Sequence, residues 1–253
     1  MDDTPLPLTE HLAELRSRLF RLLVAWGIGV AAAWNFKEQI FAVLLQPALG
    51  ALAPGGGQLQ AIAPTEIFFT YLKSALLAGF VLSLPVVFWQ LWSFIAPGLY
   101  QKEKRVALPF VVVSTVLFVL GCGFGHQVVF PLMFKFFQGF ESEFVVAAWT
   151  MREVFGLTTR LFLAFGFAFE LPVLVVFLAL AGIVDARTLL RWSPYSVLFA
   201  FVAGALLTPA DVVSQVFLAI PLVGLYFLGV GAAFLFQPRK KAAEDDPRSL
   251  QAQ

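Results

Sequence analysis

Val106–Phe134 reads VALPFVVVSTVLFVLGCGFGHQVVFPLMF, 29 residues without one charged side chain. A helix rises about 1.5 Å per residue and the bilayer's hydrocarbon is roughly 30 Å thick, so about 20 such residues cross it. The pattern recurs on both sides of this run. Leu22–Phe36, Ser74–Gln101, Trp192–Ala210 and Val212–Pro238 are also charge-free, and Leu161–Val184 is broken only by Glu170. Six such stretches define an all-α, polytopic membrane protein. Its transmembrane helices are expected over residues 19–36, 72–95, 106–130, 158–183, 194–208 and 212–236. With 60% hydrophobic residues and 29 Phe, little chain remains for a soluble catalytic domain. Residues 1–238 read as one six-helix transmembrane domain and 239–253 as a charged, flexible cytoplasmic tail.

Six spans put both termini on one side. The loops of that side carry 12 of the 17 Lys and Arg residues, among them Arg16, Arg18, Lys102, Lys104, Arg105 and Arg191. Basic residues accumulate on the cytoplasmic face, which gives an N-in, C-in topology in the cytoplasmic (inner) membrane. The first 20 residues lack a signal-peptide layout, because acids come first and no small-residue cleavage site follows the apolar stretch.

Leu8, Leu12, Leu15, Leu19 and Leu22 recur at helical spacing while Glu10, Glu14 and Arg18 face elsewhere, an interfacial start that runs into the first span. In the external segment 37–73, Phe41, Leu44, Leu45, Leu49 and Leu52 suggest a helix lying on the membrane surface. Pro85, Pro172 and Pro221 each remove a backbone hydrogen bond inside a span and are expected to kink it. Span five is short, opened by Ser193-Pro194 and closed by Thr208-Pro209; span six, with Pro221 and Gly224, is expected to be effectively short too. Gly79–Val86 echoes Gly166–Val173, each a Gly-Phe followed by Leu-Pro-Val.

Few residues can carry chemistry. Glu170 is an acid near the middle of span four, where a carboxylate normally faces the bundle or water and is functional; a hydrogen-bonded packing role also fits it. Thr208 and Asp211 match a capping box at the start of span six, which alone accounts for Asp211. Gln215, one turn further in, suits a polar contact with another helix. Glu14 stands four residues before Arg18, a pair worth about 0.2–0.5 kcal/mol on a helix surface. Glu103 lies between Lys102 and Lys104. Both acids read either as solvated charge or as acceptors for guanidinium groups, which pair with carboxylates bidentately. Cys122 is alone in the chain and behaves as a small buried hydrophobe. There is no GxxxxGK[ST], no HExxH and no Cys/His metal spacing, so neither a nucleotide site, a metal, a cofactor nor catalysis is expected.

Four further stretches complete the pattern: His11-Leu12-Ala13-Glu14-Leu15-Arg16-Ser17-Arg18-Leu19, Ala63-Pro64-Thr65-Glu66-Ile67-Phe68-Phe69-Thr70-Tyr71, Gln90-Leu91-Trp92-Ser93-Phe94-Ile95-Ala96-Pro97-Gly98-Leu99-Tyr100, and Leu206-Leu207-Thr208-Pro209-Ala210-Asp211 through Ser214-Gln215. With Ala164–Pro172 they resemble, in order, the TatC family, the multispanning receptor subunit of the twin-arginine protein translocase. The resemblance implies a cupped six-helix bundle that binds the twin-arginine signal peptides of folded cargo proteins. It implies that Glu14 and Glu103 take the signal's arginines, with Arg16, Phe94, Leu99, Tyr100, Lys102 and Arg105 shaping the site. It implies that Glu170, Gln215, Thr208 and Asp211 meet single-span TatA/TatB-type subunits, that Pro47 marks a functional external loop, and that several copies assemble. Transport would draw on the proton-motive force. Departures are Lys104-Arg105 where paired arginines are common, Trp192-Ser193 where basic residues are common, and His126 at a usually aromatic position.

Two other readings compete. A proton-coupled small-molecule transporter with Glu170 as relay needs several midplane polar groups, and Glu170 stands nearly alone. A passive scaffold leaves Glu170 an uncompensated cost.

Overall fold

The computed structural model describes residues 8–52, 58–95, 107–142, 144, 148–208 and 211–236. Among the described residues ten α-helices follow one another: α1 (Leu8–Trp34), α2 (Lys37–Leu52), α3 (Pro64–Ile95), α4 (Ala107–Phe124), α5 (Phe130–Gln138), α6 (Met151–Ala168), α7 (Leu171–Leu180), α8 (Ala186–Arg191), α9 (Ser193–Leu207) and α10 (Val212–Phe236). A π turn, Gly125–Val129, joins α4 to α5. Among the described residues no strand occurs; Gln60 and Thr150 form one isolated parallel bridge. Among the described residues five helical stretches are long and apolar enough to cross a membrane: Leu12–Trp34, Pro64–Ile95, Leu108–Gln138, Met151–Leu180 and Val212–Phe236. The sixth span is α9, 15 residues or about 22 Å. Many large apolar side chains point outward, among them Phe20, Ile28, Leu82, Leu120 and Phe199, as lipid-facing helices require.

The helices pack as neighbours in order: α1 on α3, α3 and α6 on α4, and α7 and α9 on α10. Where α1 crosses α3 there is no room for a side chain. A Cβ on Gly79 would lie 2.5 Å from the Val30 nitrogen, and one on Gly29 would lie 2.6 Å from the Gly79 carbonyl oxygen. Gly166 is equally confined, against the Phe118 ring of α4. The two glycines of the sequence echo thus serve one packing device, close approach of a span to its predecessor.

Four expectations need correction. Pro172 interrupts span four outright: α6 ends at Ala168, Phe169 and Glu170 form a turn, and α7 starts at Leu171 with proline in its first turn, where no backbone N–H is needed. Pro85 and Pro221, by contrast, lie inside helices that continue through them. Span six is accordingly not short; its 25 residues extend about 37 Å. The third span runs on through the π turn to Gln138 rather than stopping near residue 130. In the external segment, α2 buries Leu44, Leu45, Ala48, Ala51 and Leu52 and leaves Leu49 exposed, so it is a packed element and Pro47 sits inside it, not in a loop.

Candidate functional site

The cytoplasmic end of α1 packs on the cytoplasmic end of α3, and one side chain ties them. Arg18 Nε donates to Glu14 Oε1 at 3.0 Å, and its Nη2 donates to the same oxygen. Its other bonds cross to α3, 72 and 75 residues away: Nη1 to the Gln90 carbonyl at 3.0 Å and to Gln90 Oε1 at 3.5 Å, Nη2 to the Ser93 carbonyl at 3.3 Å. The guanidinium carbon stands 5.6 Å from the centroid of the Phe94 ring, a cation–π distance. The arginine side chain is 17% exposed and the glutamate 43%, so the cation is anchored in the protein and the carboxylate faces outward. Cations suit the C-terminal end of a helix, where the last carbonyls lack intrahelical donors. Of the expected residues, Glu14 and Phe94 are therefore brought together through Arg18. Arg16 is exposed on α1. Leu99, Tyr100, Lys102, Glu103 and Arg105 lie outside the described residues.

A second polar chain starts two residues before Phe94. The buried Trp92 indole donates to Ser114 Oγ of α4 at 3.1 Å, and the Ser114 hydroxyl is hydrogen-bonded to the Glu170 carboxyl. Glu170 sits in the turn that Pro172 opens between α6 and α7, and its Oε1 is buried without a hydrogen-bond partner among the described residues. Around this chain Phe88, Phe118, Val173 and Phe177 form an apolar cluster. A recess of about 720 Å³ between α1, α2, α3 and α4 is lined by Ala33, Leu77, Val81, Cys122 and His126 and includes neither Glu14 nor Glu170.

At the opposite end of α10 the capping differs from the expected box. Asp211 itself is the cap, its Oδ1 accepting from the Ser214 N–H at 2.7 Å. Thr208 instead donates its hydroxyl to the Gly204 carbonyl at 2.8 Å, closing α9. Gln215 donates to the Phe201 carbonyl of α9 at 2.8 Å and packs against Gly204.

Two residues were given no role by the sequence reading. Glu66 accepts from the backbone N–H of Ile62 at 2.9 Å and of Arg152 at 2.6 Å, beside hydrogen bonds from Gln60 N–H to the Trp149 carbonyl and from Met151 N–H to the Gln60 carbonyl. It clasps the start of α3 to the start of α6. The buried His126, placed by the π turn, bonds through Nε2 to the Val43 carbonyl of α2 at 2.7 Å. A carbonyl only accepts, so Nε2 carries the proton. The contacts that tie these residues to other helices, to Arg152 and to Val43, lie 86 and 83 residues away and left no local signal to find.

Known proteins share this sequence pattern and fold. The family model for the Sec-independent protein translocase protein (TatC) matches residues 10–221. A TatC of Desulforapulum autotrophicum is 43% identical over 240 residues, covering 95% of this chain and 88% of its own length. One of Magnetococcus marinus is 44% identical over 224 residues, 88% of this chain and 82% of its own. A crystal structure described as the twin arginine translocase receptor TatC superposes with a TM-score of 0.79 at 36% identity, covering 89% of this chain and 98% of that one. With matches over nearly the whole bundle, the chain belongs to the TatC family of Sec-independent protein translocase components, a transport family of multi-pass membrane proteins and not an enzyme family.

Proposed function

We propose that the protein is the receptor of a twin-arginine translocase, and that the cytoplasmic ends of α1 and α3 bind the arginines of a signal peptide. One observation carries this reading. Glu14, Phe94 and the carbonyls of Gln90 and Ser93 already hold a guanidinium, that of Arg18, by charge-assisted hydrogen bonds and a ring face. The chemistry that suits one arginine suits the approach of another. Glu103, in the segment that follows α3 in sequence, supplies the second carboxylate, and Arg16, Leu99, Tyr100, Lys102 and Arg105 contribute to the site.

Folded cargo is then exported by assembly with single-span TatA/TatB-type subunits, driven by the proton-motive force. Glu170, with a buried carboxyl oxygen that has no hydrogen-bond partner among the described residues, and the Thr208, Asp211 and Gln215 group are the polar points that such helices meet. Pro47 contributes on the external side.

The test is titration of a labelled twin-arginine signal peptide, against its twin-lysine counterpart, onto the full chain in lipid nanodiscs. Strong preference for Arg-Arg is expected, abolished in Glu103→Ala and weakened in Glu14→Ala. Equal binding of the two peptides to the unaltered protein would overturn the reading.

A further inference from the structure

As an i,i+4 pair on the first helix, Glu14 and Arg18 read as ordinary surface charges. The geometry says otherwise. A surface pair of long side chains holds no single arrangement and contributes little. Here the arginine cannot swing: three acceptors on α3 and the Phe94 ring fix its guanidinium plane. A fixed plane in turn anchors one oxygen of the carboxylate, because Nε and Nη2 both donate to Glu14 Oε1. A carboxylate offers about four lone-pair sites on two oxygens. Arg18 draws only on Oε1, so Oε2 is left for an incoming donor beside a held oxygen.

From this we infer that Arg18 is the positioning residue of the peptide site: it orients Glu14 so that a second guanidinium finds an acceptor already in place, and so tunes discrimination between arginine and lysine. The inference rests on the reading of Glu14 as an acceptor for the signal's arginine. Its physical basis is preorganisation. A free glutamate loses rotamer freedom on binding, whereas one held in place has lost it beforehand. A planar fork gains most from a carboxylate of fixed orientation, while an ammonium, a point charge, accepts many approaches. Repulsion between Arg18 and the arriving cation is softened because the Gln90 and Ser93 carbonyls already share the charge of Arg18. The staple also fixes α1 to the last turn of α3, from which the chain continues into the segment bearing Glu103.

The experiment is a binding cycle on the full chain in nanodiscs, with twin-arginine and twin-lysine peptides as probes. Arg18→Lys keeps the charge and loses the fork. It should weaken the twin-arginine peptide about tenfold, the worth of one charge-assisted hydrogen bond, and leave the twin-lysine peptide within about twofold. In a Glu14→Gln background the same substitution should have no further effect. Glu14→Asp, which leaves the Arg18 anchors on α3 intact and withdraws the carboxylate by one methylene, should lose the same selectivity, and it decides the matter if Arg18→Lys does not accumulate in the membrane. Unchanged selectivity in Arg18→Lys or Glu14→Asp, or a full additional loss from Arg18→Lys in the Glu14→Gln background, would overturn the inference. Failure of the underlying reading looks different: Glu14→Gln alone would then bind the twin-arginine peptide as the unaltered protein does.

Discussion

Ser114→Ala removes one hydroxyl at the middle of the chain that joins Trp92 to Glu170. Trp92 is 6% exposed and Ser114 fully buried, so water does not replace the lost acceptor. Deleting one partner of a buried hydrogen bond leaves the other unsatisfied, at a cost of about 1–3 kcal/mol. Polar contacts between membrane helices average less, about 0.6 and at most about 1.7 kcal/mol, because the unfolded chain in the membrane also finds partners. The Trp92 indole is enclosed by Phe110 and Phe177 at ring distances of 4.8 and 5.0 Å, which places the expected loss in the upper part of that range, about 1–1.5 kcal/mol. Unfolding in mixed micelles of increasing SDS content, followed by circular dichroism, measures it. Trp92→Phe supplies the control, since removing the donor as well leaves no orphaned N–H. A cycle of the two substitutions should give a coupling of about 1 kcal/mol; additivity within about 0.3–0.5 kcal/mol would refute the Trp92–Ser114 bond as a stabilising contact.

Two other outcomes follow from the same geometry. Glu170→Ala should leave signal-peptide affinity in nanodiscs unchanged but reduce assembly with single-span subunits and export of a reporter; loss of peptide binding would show the two roles to be wrongly divided. Gly79→Leu places side-chain carbons where a Cβ already lies 2.5 Å from the Val30 nitrogen, so α1 and α3 must separate by about 1 Å or more, at a cost of about 1–3 kcal/mol. It should lower SDS resistance and weaken twin-arginine peptide binding together, whereas Gly27→Leu, at a glycine whose Cβ meets nothing within 4 Å, should do neither.

Hydrophobic run length carried the bundle, because crossing a bilayer is a constraint on consecutive residues and is written locally. Val106–Phe134 and its counterparts therefore name all six spans. The failures share a cause. Whether a proline kinks or breaks a helix depends on what surrounds it, so Pro172 could not be told from Pro85 or Pro221. The Thr-Pro-Ala-Asp stretch offers two capping geometries, and the structure uses Asp211 rather than Thr208. Arg18 was legible only as the helical partner of Glu14, because its acceptors on α3 lie 72 and 75 residues away, and Glu66 clasps an N–H 86 residues distant. Glu14, Glu103 and Phe94 drew notice as site residues through resemblance and charge placement. Nothing in the spacing of Glu14 and Phe94 told that a third residue joins them.

The most direct measurement is a double-mutant cycle across the interface, pairing Glu14→Gln, and separately Glu103→Gln, with replacement of each signal-peptide arginine by lysine. Carboxylates that grip those arginines should give coupling energies of about 1.5 kcal/mol or more for at least one pairing each. Couplings below about 0.5 kcal/mol in every pairing would mean that the arginines are recognised elsewhere on the protein.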